Sequence, residues 1–143
     1  RILEESDLKR ASLVIVGSTA AVFGEENHAD YSAAKAAITY GLTRSLKNEI
    51  VRVVPEGRVN AVCPGWTKTE MAEPEIYDPD SVKETLKTRA LQSVGRPEEM
   101  ARSIVFLSSP RLAGHITGEV LTVAGGMEGR LLHRNPDAGP SAD

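Results

Sequence analysis

Leu13-Val14-Ile15-Val16-Gly17-Ser18-Thr19 is a short unbroken apolar run rich in β-branched residues, closed by a glycine and two hydroxyl residues. Such a run suits a strand buried on both faces, as in a parallel sheet covered by helices. Ser18 then stands just past the strand's C-terminal end, where open α/β sheets place their ligands. From about Asp30 the pattern turns helical. Ile38, Leu42, Leu46 and Ile50 recur at intervals of four, and the small residues Ala33, Ala34, Ala36, Ala37 and Gly41 stand beside them. The helix stops before Pro55-Glu56-Gly57, a turn signal, and Arg58–Cys63 reads as a second strand ending at Pro64-Gly65. Strand, helix, strand is the pattern of a parallel crossover, so the fold class is α/β.

Working outward from that crossover, Tyr31 and Lys35 open its helix. A separation of four puts both side chains on one helix face, about one turn or ~6 Å apart along the axis. A phenol with an ordinary pKa near ~10 is a poor base at neutral pH. One ammonium about 4 Å away, at an effective dielectric near 20, is worth roughly 4 kcal/mol, or about three pKa units before desolvation is subtracted. A helical lysine four residues after a tyrosine is thus a sensible way to make a proton-transfer tyrosine.

Composition narrows the partners. The 143 residues are 41% apolar and 26% charged, which fits one globular domain and disfavours disorder. A net charge of -3 with interspersed signs offers no basic stripe for nucleic acid and no polybasic patch for a membrane surface. No run approaches the ~18 apolar residues of a membrane span, and a single cysteine, Cys63, excludes an internal disulfide framework. A small-molecule partner and a reducing, cytoplasmic compartment are expected, with Cys63 a buried inert thiol. Three scattered histidines and one cysteine show no metal-ligand spacing.

The rest of the chain completes the pattern. Arg1 to Arg10 reads as the end of a helix already under way, so the sequence enters in mid-domain. Asp78-Pro79 opens a helix with apolar Val82, Leu86 and Ala90, a candidate substrate lid, and the charges from Lys83 to Arg89 read as a solvated face. Pro97-Glu98-Glu99 begins another helix, the acids explained by its first turn, and it ends at Ser109-Pro110. Glu119–Val123 is a third strand running into Gly125-Gly126. Residues 130–143 carry no periodic apolar face and read as a flexible tail after a domain over 1–129.

In order and spacing, Ser18, Tyr31, Lys35, Pro64-Gly65 with Thr69, Ile116-Thr117-Gly118 and Gly125-Gly126 resemble the short-chain dehydrogenase/reductase family over about Leu13 to Met127. Within it the chain looks most like the reductases related to the 3-oxoacyl carrier-protein reductases. The resemblance implies the C-terminal half of a Rossmann-type doubly wound parallel sheet, NAD or NADP as cofactor, and a small carbonyl or secondary alcohol as substrate. It implies that Tyr31 is the general acid or base, that Ser18 hydrogen-bonds the substrate oxygen, and that Lys35 lowers the tyrosine pKa and holds the nicotinamide ribose. Pro64-Gly65 would end the strand beside the nicotinamide, with glycine allowing close approach to the ring. Trp66 would offer main-chain groups to the carboxamide, and Thr69 its hydroxyl to the carboxamide or pyrophosphate. His28, Phe23, Trp66 and Met71 are candidate pocket walls, with a solvated loop position the alternative for His28 and a core or rim position the alternative for the other three. The alanine-rich face after Lys35 is the implied contact of a homodimer or homotetramer.

Departures matter as well. No G-x-G-x-x-G occurs in these residues, so the phosphate-binding half expected of the family lies upstream. Without those strands the 13–16 run becomes an apolar edge. A serine hydrolase is disfavoured, because the glycines of a nucleophile elbow are replaced by Val16 and Ala20. The rival from another class is a non-catalytic truncated fragment acting as a structural or binding subunit.

Overall fold

The computed structural model describes residues 8–70 and 78–129. Three parallel strands, β1 (Arg10–Val16), β2 (Glu56–Pro64) and β3 (Val120–Val123), form one sheet in the order β1-β2-β3. β1 pairs with β2 from Arg10↔Glu56 to Val16↔Val62, and β2 pairs with β3 from Ala61↔Val120 to Pro64↔Val123. The central strand is the buried one, since every residue from Gly57 to Cys63 is buried. β1 is an edge, with Leu13 42% and Val16 46% exposed. The run read as covered on both faces is therefore half open, and the apolar-edge expectation holds among the described residues.

Side chains alternate across a strand, and each face of β2 meets a different helix. On one face, Ser12 Oγ and Arg58 Nη1 both donate to the carbonyl of Leu107, at 3.2 and 2.8 Å. Leu107 belongs to a helix spanning Pro97–Ser108, whose start is fixed by the Arg96 N–H donating to Glu99 Oε2 at 2.8 Å. Arg58 also reaches the carbonyls of Ser108 and Ile116, at 3.2 and 3.3 Å. One buried guanidinium thus satisfies the carbonyl end of that helix and the turn before β3. Ile116-Thr117-Gly118 works beside it: Thr117 Oγ1 accepts the Val59 N–H at 3.1 Å, and the Gly118 N–H donates to Val59 O at 2.7 Å. In this structure the motif locks the start of β3 onto β2.

On the other face lies the crossover helix, Ala29–Ala36 followed by a π turn Ala37–Leu42, an α segment Thr43–Glu49 and a 3-10 turn Ile50–Arg52. Its buried residues are Thr39, Thr43 and Ile50. Leu42, expected on the inward stripe, is 44% exposed. The correction is geometric: at ~3.6 residues per turn, a strict interval of four drifts by about 40° each step, so Ile38 and Ile50 cannot share a face. Spacings of four, three and four, through Thr39, Thr43, Leu46 and Ile50, do share one. The π turn accompanies the phase change, with both the backbone N–H and Oγ1 of Thr43 donating to Ile38 O, the latter at 3.0 Å.

Several boundaries moved. Arg10, expected in a helix, begins β1, and residues 1–7 lie outside the described residues. A four-residue helix, Ala20–Phe23, interrupts the loop after Ser18. The helix opened by Asp78 covers only Pro79–Leu86, so Ala90 falls beyond it and is exposed. Arg89, expected on a solvated face, is buried. Short helix Pro110–Ala113 precedes β3. Met71 and residues 130–143 lie outside the described residues. No helix among the described residues is long and apolar enough to cross a membrane.

Candidate active site

The strand ends create the site. Beyond β1 the chain stays tied to β2, the Gly17 N–H donating to Val62 O at 2.7 Å and the Thr19 N–H to Pro64 O at 3.0 Å. Ser18 is held between these two bonds, beside Pro64-Gly65. Its Oγ accepts the Ala20 N–H at 3.1 Å, which fixes the hydroxyl oxygen at the start of the Ala20–Phe23 turn and leaves its proton for a second partner.

Gly17 is required by close approach. A Cβ at this position would sit 2.7 Å from Cys63 Sγ and closer still to Thr39 Oγ1. Thr39 Oγ1 and Cys63 Sγ themselves lie 3.9 Å apart, both residues being fully buried. Here the crossover helix approaches the sheet closely. One turn earlier on that helix, Lys35 Nζ donates to the carbonyl of Val16 at 3.0 Å and lies 5.6 Å from the centre of the Tyr31 ring. Tyr31 is 41% exposed. An ammonium at that distance is within the range of favourable interaction with an aromatic face. Lys35 is thus anchored two residues before Ser18, and Tyr31 is its neighbour.

The turn after β2 is held from two sides. The Gly65 N–H donates to Val123 O at 3.0 Å, and Thr67 Oγ1 donates to Gly65 O at 2.9 Å. Trp66 O accepts the Gly95 N–H at 3.1 Å, while the Lys68 N–H donates to Gly95 O at 2.9 Å. A Cβ at Gly65 would lie 2.7 Å from Ala124 Cβ, so in this structure the neighbour that demands glycine is the chain leaving β3. Thr69 is exposed, next to the last described residue of this segment. His28 is an exposed loop residue whose Nδ1 lies 3.0 Å from Glu26 O. The Phe23 ring lies where a Cβ at Gly129 would be, 2.8 Å from Cδ1.

Two cavities flank Trp66. One of about 260 Å³ opens between Thr19 and Gly24 on one side and Thr85, Thr88 and Met127 on the other. The second, about 210 Å³, is lined by Leu91, Gly95, Met100 and Ala124. Arg89 borders both. Sequence reasoning missed Arg89 and Thr39. The spacing of Thr39 with Thr43, Leu46 and Ile50 was the signal for the second; for Arg89 the sequence carried none. Among the described residues no cluster of His, Cys, Asp and Glu could hold a metal ion.

Known proteins resemble this chain in sequence and in fold. A family model described as Enoyl-(Acyl carrier protein) reductase matches residues 2–128. The 3-oxoacyl-[acyl-carrier-protein] reductase FabG of Vibrio harveyi is 40% identical over 121 residues, covering 83% of this chain and 47% of the relative. A 3alpha-hydroxysteroid dehydrogenase of Mediterraneibacter gnavus is 39% identical over 110 residues, covering 76% of this chain and 41% of its own length. Among solved structures, a short-chain dehydrogenase/reductase from Brucella melitensis, described as a glucose/ribitol dehydrogenase, superposes with TM-score 0.70 at 36% identity, covering 80% of this chain and 44% of that one. A 7 alpha-hydroxysteroid dehydrogenase complexed with NADH and 7-oxo glycochenodeoxycholic acid gives TM-score 0.76 at 27% identity, covering 86% of this chain and 46% of that one. The chain spans slightly less than half the length of the curated relatives it matches.

Proposed function

The chain belongs to the short-chain dehydrogenase/reductase family, and from that premise we propose that it carries the proton-transfer half of a cytoplasmic NAD(P)-dependent oxidoreductase acting on a secondary alcohol or its ketone. The observation that supports this most is the Lys35 tether: an ammonium 3.0 Å from the carbonyl ending β1 and 5.6 Å from the Tyr31 ring, with Ser18 two residues on. A hydroxyl, a phenol, an ammonium and a strand-ending turn at the carboxyl edge of a parallel sheet fit the nicotinamide end of a dinucleotide. For the pyrophosphate the chain holds no G-x-G-x-x-G loop. Tyr31, Lys35, Pro64, Gly65, Trp66 and Thr69 are the residues that would hold the nicotinamide nucleoside.

When bound, the cofactor supplies or takes the hydride. This chain's residues handle the proton and the oxygen. In reduction, the Ser18 hydroxyl donates to the substrate carbonyl and holds it in place as negative charge develops on its oxygen. The Tyr31 hydroxyl then delivers its proton to that oxygen. The Lys35 charge offsets the negative charge left on the phenolic oxygen and, once released from Val16 O, is free to donate to the ribose. In oxidation each proton moves in reverse.

Tyr31→Phe removes only the proton donor. Turnover should fall by at least about a hundredfold, the lower end of general acid–base contributions, while the NADH or NADPH affinity read from nicotinamide fluorescence changes far less, because the ring and the other nucleoside contacts remain. Retained turnover refutes the role of Tyr31. The rival reading, a non-catalytic subunit completed by other chains, draws on the open β1 edge with exposed Leu13 and Val16. Failure of the full-length protein to bind either dinucleotide would favour that rival. The exposed Ala33, Ala34, Ala37, Gly41 and Leu42 support a homo-oligomer paired through the crossover helix.

A further inference from the structure

Arg89 is 2% exposed, yet it stands three residues past the end of the Pro79–Leu86 helix, where a cation ordinarily faces water. Burial pushes its guanidinium below the ordinary arginine value, and it remains a cation at neutral pH. Its Nη1 lies 3.5 Å from Trp66 O, and its Nη2 would lie 3.4 Å from a Cβ on Gly65. The side chain therefore lies along the turn that ends β2, as the wall between the two cavities beside Trp66. The backbone behind it is fixed as well: the Leu91 N–H donates to Gly125 O at 2.9 Å, and Gln92 Nε2 donates to Arg89 O at 2.9 Å.

Trp66 O thus takes two donors, the Gly95 N–H at 3.1 Å and the Arg89 guanidinium. The peptide joining Trp66 to Thr67 is trans and planar, so the Thr67 N–H is turned to the side opposite that carbonyl. Whatever rests on this turn meets a peptide whose tilt Arg89 helps to set. A cationic donor also polarises the carbonyl it holds, and so the amide of the same peptide. Lysine could supply the charge but not a planar fork that spans Gly65 while reaching Trp66 O.

We propose that Arg89 is a positioning residue for the nicotinamide end of the cofactor, holding the Trp66 carbonyl and so fixing the Gly65-Trp66-Thr67 turn against which that ring is bound. The inference rests on the oxidoreductase reading above. Two ligands separate it from a purely structural role: NADH, which carries the nicotinamide ring, and ADP-ribose, which lacks it. In the full-length protein Arg89→Met keeps the volume and removes the charge and the fork. It should weaken NADH binding about tenfold, the size of one charge-assisted hydrogen bond, and leave ADP-ribose affinity unchanged. Arg89→Lys should recover part of the loss. Equal weakening of both ligands, or unchanged NADH affinity in a folded variant, overturns the assignment. Should Arg89→Met show no cooperative urea transition, Arg89→Lys carries the same comparison: a loss confined to NADH supports the role, and any other pattern overturns it. If the unsubstituted protein binds ADP-ribose but neither NADH nor NADPH more tightly, the oxidoreductase reading falls, and the inference with it.

Discussion

Replacing Gly17 with alanine tests whether the contact between the crossover helix and the sheet is what holds the candidate catalytic groups in register. The new methyl would lie 2.7 Å from Cys63 Sγ, where ordinary contact begins at 3.4 Å, and closer still to Thr39 Oγ1. Something must therefore move by about 0.7 Å or more, and both neighbours are fully buried with no free space to turn into. Overpacking of this kind costs about 1–3 kcal/mol, and the helix, rather than the central strand, is the element able to yield. Lifting it displaces Tyr31 and Lys35 relative to Ser18, and a misplacement near ~1 Å can cost about a hundredfold in rate. We expect a urea midpoint lowered by that stability loss, and turnover reduced about 10- to 100-fold in the folded fraction. The double variant Gly17→Ala with Thr39→Ala removes the tighter clash, so its stability loss should be smaller than the sum of the two single losses. Additive losses, or a Gly17→Ala protein with unchanged midpoint and turnover, would refute the reasoning.

Two further outcomes are expected. Asp78 accepts the Ser81 N–H at 3.0 Å and the Ser81 hydroxyl at 2.5 Å, and these bonds hold its carboxyl below the ordinary range; the Arg96 N–H does the same for Glu99. A carboxyl depressed in the folded state gives its stabilisation at any pH above the ordinary value near ~4 and loses it as pH falls through the folded one. Ser81→Ala, which removes the hydroxyl bond and keeps the N–H one, should therefore raise the Asp78 midpoint in a carboxyl NMR titration and leave Glu99 alone; an unmoved Asp78 would contradict the role of the hydroxyl. Leu42→Arg on the exposed face of the crossover helix should shift sedimentation of the full-length protein toward monomer without changing its urea midpoint, and an unchanged sedimentation profile would reject that face as the contact.

What the sequence revealed followed the range of each interaction. Strands β1 to β3 were legible as apolar runs, the Pro97 helix as a proline with two acids after it, and the Tyr31–Lys35 pairing as a separation of four, because all of these depend on neighbours along the chain. The inward face of the crossover helix was not, since Thr39 and Thr43 look polar yet are buried, Thr39 where Gly17 and Cys63 admit it closely. Arg89 was misread for a similar reason. A charged residue among charged neighbours signals solvent, whereas the approach of Trp66 O, distant in sequence, helps to make burial tolerable. The Ile116-Thr117-Gly118 motif was recognised as family-like, but its bonds to Val59 lie 58 residues away and could not be read locally.

The Arg58 clamp has a bearing on how the protein opens. Its guanidinium gathers carbonyls from residues 49, 50 and 58 positions downstream, so neither the Pro97–Ser108 helix nor the entry to β3 can peel away without stranding a cation in an apolar interior. Fluctuations that release one of these parts should release both together. Slow amide exchange at Val59 and Gly118 would then share a single free energy, leaving independent fraying to the opposite rim of the sheet.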